Sequence, residues 1–239
     1  MTQRLTPTAA FLLVIPPLMW SGNAVVGRLV APLISPMTLN LLRWGIAFLI
    51  LLPLARRVLQ RNSDLWPQWK RFTLLSLFSI GGYNALLYLA LNTSTAINVT
   101  LVGASTPVWM LLIGRLFFKV PVSRRQILGA VLSIAGVVLV LGRGDWEVMT
   151  QLRLVPGDLY VLLASIAWAT YSWLLAHPTP ESAAIRADWS TFLMGQIVFG
   201  LGWSMAFTAG EWALTPAHID WSAGLLAALA FIAVGPAVI

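Results

Sequence analysis

The 239 residues are 59% hydrophobic and only 10% charged, with a mean hydropathy of +0.83. A water-facing domain carries about 25% charged residues, so these charges are too few to clothe a soluble globule. The formal net charge of +7 does not mark a nucleic-acid surface, because the basic residues sit in two short loops, and the lack of cysteine excludes disulfides and thiolate metal sites.

Eight apolar runs follow one another at roughly 8–31, 37–55, 72–91, 96–118, 124–142, 157–176, 190–209 and 222–239. Each approaches the ~20 residues a helix needs to cross a ~30 Å hydrocarbon core. Continuous runs predict helices, since a barrel strand would show about ten residues of alternating polarity. The first run follows Arg4 and continues through Trp20 and Asn23 with no small-residue cleavage pattern, which predicts a retained span rather than a removed leader. Loops 56–71 and 119–125 hold eight basic residues (Arg56, Arg57, Arg61, Lys70, Arg71, Lys119, Arg124, Arg125) against Asp64. The alternate loops 32–36, 92–95, 143–156 and 208–221 hold Arg143 and Arg153, offset by Asp145, Glu147, Glu211 and Asp220. The bias is weak at 177–189, where Arg186 is the lone basic residue. It predicts an inner (plasma) membrane protein with a cytoplasmic N-terminus.

Polar side chains within hydrocarbon are costly, which makes each one a candidate for contact with cargo. In the first span Trp20, Asn23 and Gly27 share a face, while Arg28, near the outer end, suits snorkelling or bonds to helix-end carbonyls. Arg43 lies roughly two turns into the second span, where snorkelling is harder and solute or gating contact competes with it. Asn84 and Tyr88 are i, i+4 neighbours in the third span, one turn after Gly81-Gly82. In the fourth, Asn98, Val102, Ser105 and Trp109 fall on one helical face. Pro107 removes a backbone donor there and would free a carbonyl for a solute; the alternative is tight helix packing through Gly103, Ala104 and Ser105. Arg115 anchors the inner end of that span. Trp168 and Tyr171 are the sixth span's candidates and Gln196, in the seventh, is a weaker one. Trp66, Trp69, Trp146, Trp212 and Trp221 read as interface residues. No Asp or Glu lies inside a span, Asp158 reads as a helix N-cap, and both His177 and His218 are in loops. That pattern offers no catalytic set, metal site or cofactor site, and names no coupling ion.

A faint internal repeat pairs Trp20, about a dozen residues after Pro7, with Trp168 after Pro156, and Gly82 with Gly235. It divides the chain into a first unit at 1–142, an external linker at 143–156 and a second unit at 157–239. An odd number of helices per unit sends the second through the membrane in the opposite sense, an arrangement recurrent in transporters. Two five-helix units need ten helices. Eight are present, so the chain is expected to be partial, with a cavity wall open to lipid that a homodimer could cover.

Specific motifs then accumulate. The first unit shows Trp20-Ser21-Gly22-Asn23, Arg28, Pro36 and Leu42-Arg43-Trp44, followed by Ala104-Ser105-Thr106-Pro107-Val108-Trp109. Next come Ser123-Arg124-Arg125-Gln126-Ile127-Leu128-Gly129 and Ala135-Gly136-Val137; the second unit opens on Gly157-Asp158-Leu159-Tyr160 and Ala167-Trp168-Ala169-Thr170-Tyr171. In these residues the chain resembles the EamA-like branch of the drug/metabolite transporter superfamily. The resemblance implies an all-α polytopic bundle of inverted five-helix repeats that moves small metabolites, often outward. One departure is Val120, where the family usually carries Glu at the cytoplasmic end of the fourth span.

The expected function is a secondary transporter working by alternating access on a small solute such as an amino acid or related compound. Its cavity candidates are Trp20, Asn23, Arg43, Asn84, Tyr88, Asn98, Ser105, Trp109, Trp168 and Tyr171. The partners expected are that solute and the lipid bilayer, with no nucleic acid and no cofactor. A membrane enzyme on lipid head groups would need acid–base or metal groups at the interface, and the sequence offers no such set. A non-transporting assembly or receptor-like protein is the other alternative.

Overall fold

The computed structural model describes residues 6–141 and 155–238. The linker expected at 143–156 lies outside them except for its last two residues, and so do Arg4, Arg143, Asp145, Trp146, Glu147 and Arg153.

Eight helical segments follow the eight apolar runs. They are α1 (Pro7–Val30), α2 (Pro36–Ala55), α3 (residues 69–93), α4 (Ala96–Phe117), α5 (Arg124–Leu141), α6 (Pro156–Ala176), α7 (Trp189–Leu214) and α8 (Ala223–Val238). Among the described residues, six stretches are long and apolar enough to cross a membrane, while α8 is a shorter apolar helix of 16 residues. The described residues form no β-strand, only an isolated antiparallel bridge between Ile34 and Ile219. The protein is an all-helical, multi-pass membrane protein.

Two helices are interrupted. In α3 the α-helix at Trp69–Ser76 widens into a π-helix over Leu77–Tyr83 and resumes at Asn84–Thr93. The wider turn redirects carbonyls, and the Ile80 carbonyl accepts from Asn40 Nδ2 at 3.0 Å. Gly82 sits inside this turn, where a methyl group would lie 2.6 Å from the Leu77 carbonyl oxygen. The second interruption splits α4 into Ala96–Gly103 and Thr106–Phe117, just before Pro107. Proline cannot bond the carbonyl four residues back, that of Gly103. Thr106 Oγ1 donates to this carbonyl at 2.6 Å, so the group is satisfied locally.

Helix α2 packs on α7 and α8, α6 on α3 and α4, and α1 on α8, while α5 lies chiefly against α4. Lipid tails are as apolar as leucine, so close backbone approach and dispersion carry this packing rather than hydrophobic burial. Gly200 of α7 illustrates it: a methyl group there would meet the Ile80 side chain at 2.6 Å.

Charged side chains near the helix ends complete the bundle. Arg28 Nη1 donates to the Leu91 and Asn92 carbonyls at 2.5 and 2.9 Å, at the C-terminus of α3. Arg71 Nη2 bonds the Leu174 and His177 carbonyls at 2.8 and 3.0 Å, and Arg186 Nη1 bonds Leu175 O at 3.0 Å, at the C-terminus of α6. Cations belong there because that end of the helix dipole is negative. Helix α7 runs to Leu214, past the expected end at 209, and so carries Glu211 onto the N-terminus of α2. Its oxygens accept from the Met37 and Thr38 backbone N–H at 2.9 and 3.0 Å and from the Thr38 hydroxyl at 2.8 Å. Asp158, expected as an N-cap, occupies the third helical position instead and reaches back to the Val155 N–H at 3.0 Å. Its second oxygen accepts from the Ser94 hydroxyl at 2.9 Å, which joins α6 to the end of α3.

Candidate functional site

A cavity of about 600 Å³ opens within the bundle, walled by α1, α2, α3, α4, α6, α7 and α8. This lies within the range of small-molecule sites, about 300–1,000 Å³. Of the ten expected residues, Trp20, Asn23, Arg43, Asn84, Trp168 and Tyr171 line it. Tyr88 stands behind the wall and ties it together.

Arg43 is the centre of the polar wall. It is 3% exposed, and among the described residues it is the one charged side chain lining the cavity. Placing Arg at bilayer depth costs about 2.5–3.5 kcal/mol on insertion scales, and neighbours recover part of that. Its Nη1 donates to Asn84 Oδ1 at 2.7 Å and to the Tyr88 hydroxyl at 3.0 Å. The Tyr88 hydroxyl in turn donates to Asn23 Oδ1 at 2.9 Å, and Asn84 Nδ2 donates to Ser79 O at 3.1 Å. Residues of α1, α2 and α3 thus share one hydrogen-bonded chain. The Trp44 ring lies 5.0 Å from the guanidinium carbon, a cation–π contact.

An aromatic cluster forms another part of the lining. Trp168 is its hub, with Tyr83 at 4.8 Å, Tyr171 at 5.2 Å and Trp20 at 6.1 Å between ring centroids. The tilted and edge-on geometries are those aromatic pairs prefer. Trp20 and Trp168, the pair expected to correspond between the two units, meet in space.

The fourth-span stripe is placed differently. Asn98, Ser105 and Trp109 are not among the lining residues, and Trp109 Nε1 donates instead to Ser105 Oγ at 3.3 Å. The lining face of α4 is Val99, Thr100, Gly103 and Thr106, one helical step round. Gly103 faces Val161 of α6, since a methyl group on it would lie 4.0 Å from Val161 Cγ2. The approach of Gly103 to α6 sets which side turns inward, and polarity alone does not reveal which side that is. The carbonyl expected to be freed by Pro107 is the one Thr106 satisfies.

Other lining residues went unmarked in the sequence. Ser165 stands one turn before Trp168 on the same face, so extending that face by helical steps would have found it. Ser79 and Tyr83 belong to the π-helical turn, whose register an ordinary 3.6-residue reading misplaces. Gln196, the weaker candidate, lines the cavity and is 4% exposed.

Comparison with known proteins gives a consistent picture. A Bacillus subtilis protein named "Uncharacterized transporter YyaM" is 25% identical over 166 residues, 68% of this chain and 54% of its own length. An Archaeoglobus fulgidus "Uncharacterized transporter" is 27% identical over 165 residues, 68% of this chain and 55% of its own. A third relative with that name, from Methanothermobacter thermautotrophicus, is 32% identical over 85 residues, 35% of this chain and 25% of its own. The chain spans about half the length of the first two relatives. Residues 7–142, more than half of the chain, match the EamA-like transporter family. With its helical architecture and internal cavity, this chain belongs to the EamA-like transporter family.

Proposed function

We propose that the protein is a secondary transporter, not an enzyme, that exports a small metabolite across the inner membrane by alternating access, with its N-terminus in the cytoplasm. The observation that carries this is the cavity of about 600 Å³ in mid-bundle, with a polar wall at Arg43 and an aromatic wall at Trp168.

The proposed units, 1–142 and 157–239 joined through 143–156, are supported by an exchange of partners. Helix α2 of the first unit packs on α7 of the second, its counterpart. Gly82 of α3 approaches Ala167, the residue before Trp168, and Gly235 of α8 approaches Met19, the residue before Trp20. A rotation exchanging the two units would map one contact onto the other, as inverted repeats require.

The units are tied together at both ends of the bundle, and at the end by the basic loops Arg71 bonds the Leu174 and His177 carbonyls. At the end away from the basic loops, the units are laced together by Glu211 on α2, Ser94 on Asp158, Asp220 N–H on Leu33 O at 2.7 Å and His218 N–H on Ser35 Oγ at 2.8 Å. Toward the other end the lining continues through Leu193, Gln196 and the last residues of α8. The exposed apolar residues of α5, among them Leu128 and Leu132, are where lipid or a second copy of the chain would lie.

The test is flux of a panel of small metabolites in proteoliposomes. Trp168→Ala should lower flux at least tenfold while insertion and helical content are unchanged. A chain that inserts and folds yet moves no solute from the panel would favour a non-transporting membrane protein.

A further inference from the structure

Two buried hydrogen-bond donors at the polar wall have no acceptor. Arg43 Nε and Trp44 Nε1 are both buried without a partner, on residues 3% and 6% exposed that line the cavity. Arg43 Nη1 is occupied by Asn84 and Tyr88, and among the described residues Nη2 makes no hydrogen bond to protein. No Asp or Glu lines the cavity among the described residues. A guanidinium in a low-dielectric site thus stands without a counter-charge, and a buried charge is stable only when paired. What the site lacks is an acceptor with one negative charge.

We propose that the transported solute is a singly charged carboxylate with an apolar body, its carboxylate held by Arg43 and its body lying against Trp168 and Trp20. This rests on the carrier reading above. The guanidinium fork matches a carboxylate in shape and donor spacing. A phosphate dianion would leave one negative charge uncompensated, since Arg43 is the lone lining cation among the described residues. An ammonium group on the solute would find no carboxylate partner there. The body is apolar because the same cavity is lined by the aromatic cluster, with Tyr83 and Tyr171 flanking Trp168 at 4.8 and 5.2 Å.

The test uses the full chain in lipid nanodiscs at pH 7, with cyclohexanecarboxylate, its uncharged carboxamide and inorganic phosphate as probes. Thermal stabilisation and quenching of tryptophan fluorescence report binding. The carboxylate should bind at least tenfold more tightly than the amide or phosphate. Arg43→Gln should remove that preference, and Arg43→Lys should restore part of it. Equal carboxylate affinity in the parent and in a folded Arg43→Gln, tighter phosphate than carboxylate binding, or no carboxylate binding by the parent would each overturn the proposal. If Arg43→Gln does not fold, the ranking of the three probes on the parent protein decides. Flux separates the two claims: carboxylate binding through Arg43 without flux sinks the carrier and keeps the site, whereas flux unaffected by Arg43→Gln keeps the carrier and sinks the site.

Discussion

Replacing Glu211 by alanine removes the group that closes the N-terminus of α2 from a residue 174 positions away. Two backbone donors, at Met37 and Thr38, lose their acceptor together with the Thr38 hydroxyl, and Thr38 is 5% exposed. Each orphaned donor costs about 1–3 kcal/mol, and the lost charge at the positive end of the helix dipole adds about 0.3–1 kcal/mol. Pro36 has no N–H to lose, and water at the half-buried helix end recovers part of the penalty, so the net loss is roughly 2–4 kcal/mol. Glu211→Gln keeps one acceptor but sets an amide NH₂ against a backbone N–H, and should cost about half as much. Unfolding in mixed micelles, followed by far-ultraviolet circular dichroism, measures the total. Trp212 gives a local signal because its Nε1 donates to Thr38 Oγ1 at 2.8 Å. If both variants unfold within about 0.5 kcal/mol of the parent, the ordinary range for a surface change, the clasp is not stabilising and the reasoning fails.

Other positions give sharper or narrower tests. Tyr88→Phe deletes the hydroxyl between Arg43 and Asn23 and should destabilise by about 1–3 kcal/mol while lowering solute binding; an unchanged unfolding midpoint would contradict the hydrogen-bonded chain. Gly82→Ala places a methyl against the Leu77 carbonyl and forces the π-helical turn to shift, a loss of about 1–3 kcal/mol. Gly129→Ala, which has open space around it inside α5, should not destabilise and should gain up to about 1 kcal/mol from helix propensity; the same micelle titration compares the two. Asp188 caps α7, and its hydrogen bonds, those from Thr191 first and then Ser190, hold its carboxyl below the ordinary value of 3.8. A depressed carboxylate stabilises the folded chain above that value and loses the effect as pH falls through the folded one. The melting-temperature gap between parent and Asp188→Ala should therefore be full at pH 6 and shrink below about pH 4. A gap that persists unchanged at pH 2.5 would refute the capping role.

Hydropathy alone determined that this chain lies in a membrane, that it is helical, and roughly where its eight segments run. Desolvation is summed residue by residue, so a long apolar run carries that information without reference to any neighbour. The same economy exposed Arg43, Asn23 and Asn84, because a polar group at depth is anomalous wherever it points. Tertiary structure decided which face of each helix meets the cavity. The face of α4 bearing Asn98, Ser105 and Trp109 looked the more polar, yet Val99, Thr100, Gly103 and Thr106 do the lining, since the approach of Gly103 to Val161 of α6 sets which side turns inward. It also decided the pairing of Glu211 with α2, which depends on how far α7 extends and on what stands opposite its end. Partnership across more than a hundred residues is a property of packing, and no local pattern in the chain encodes it.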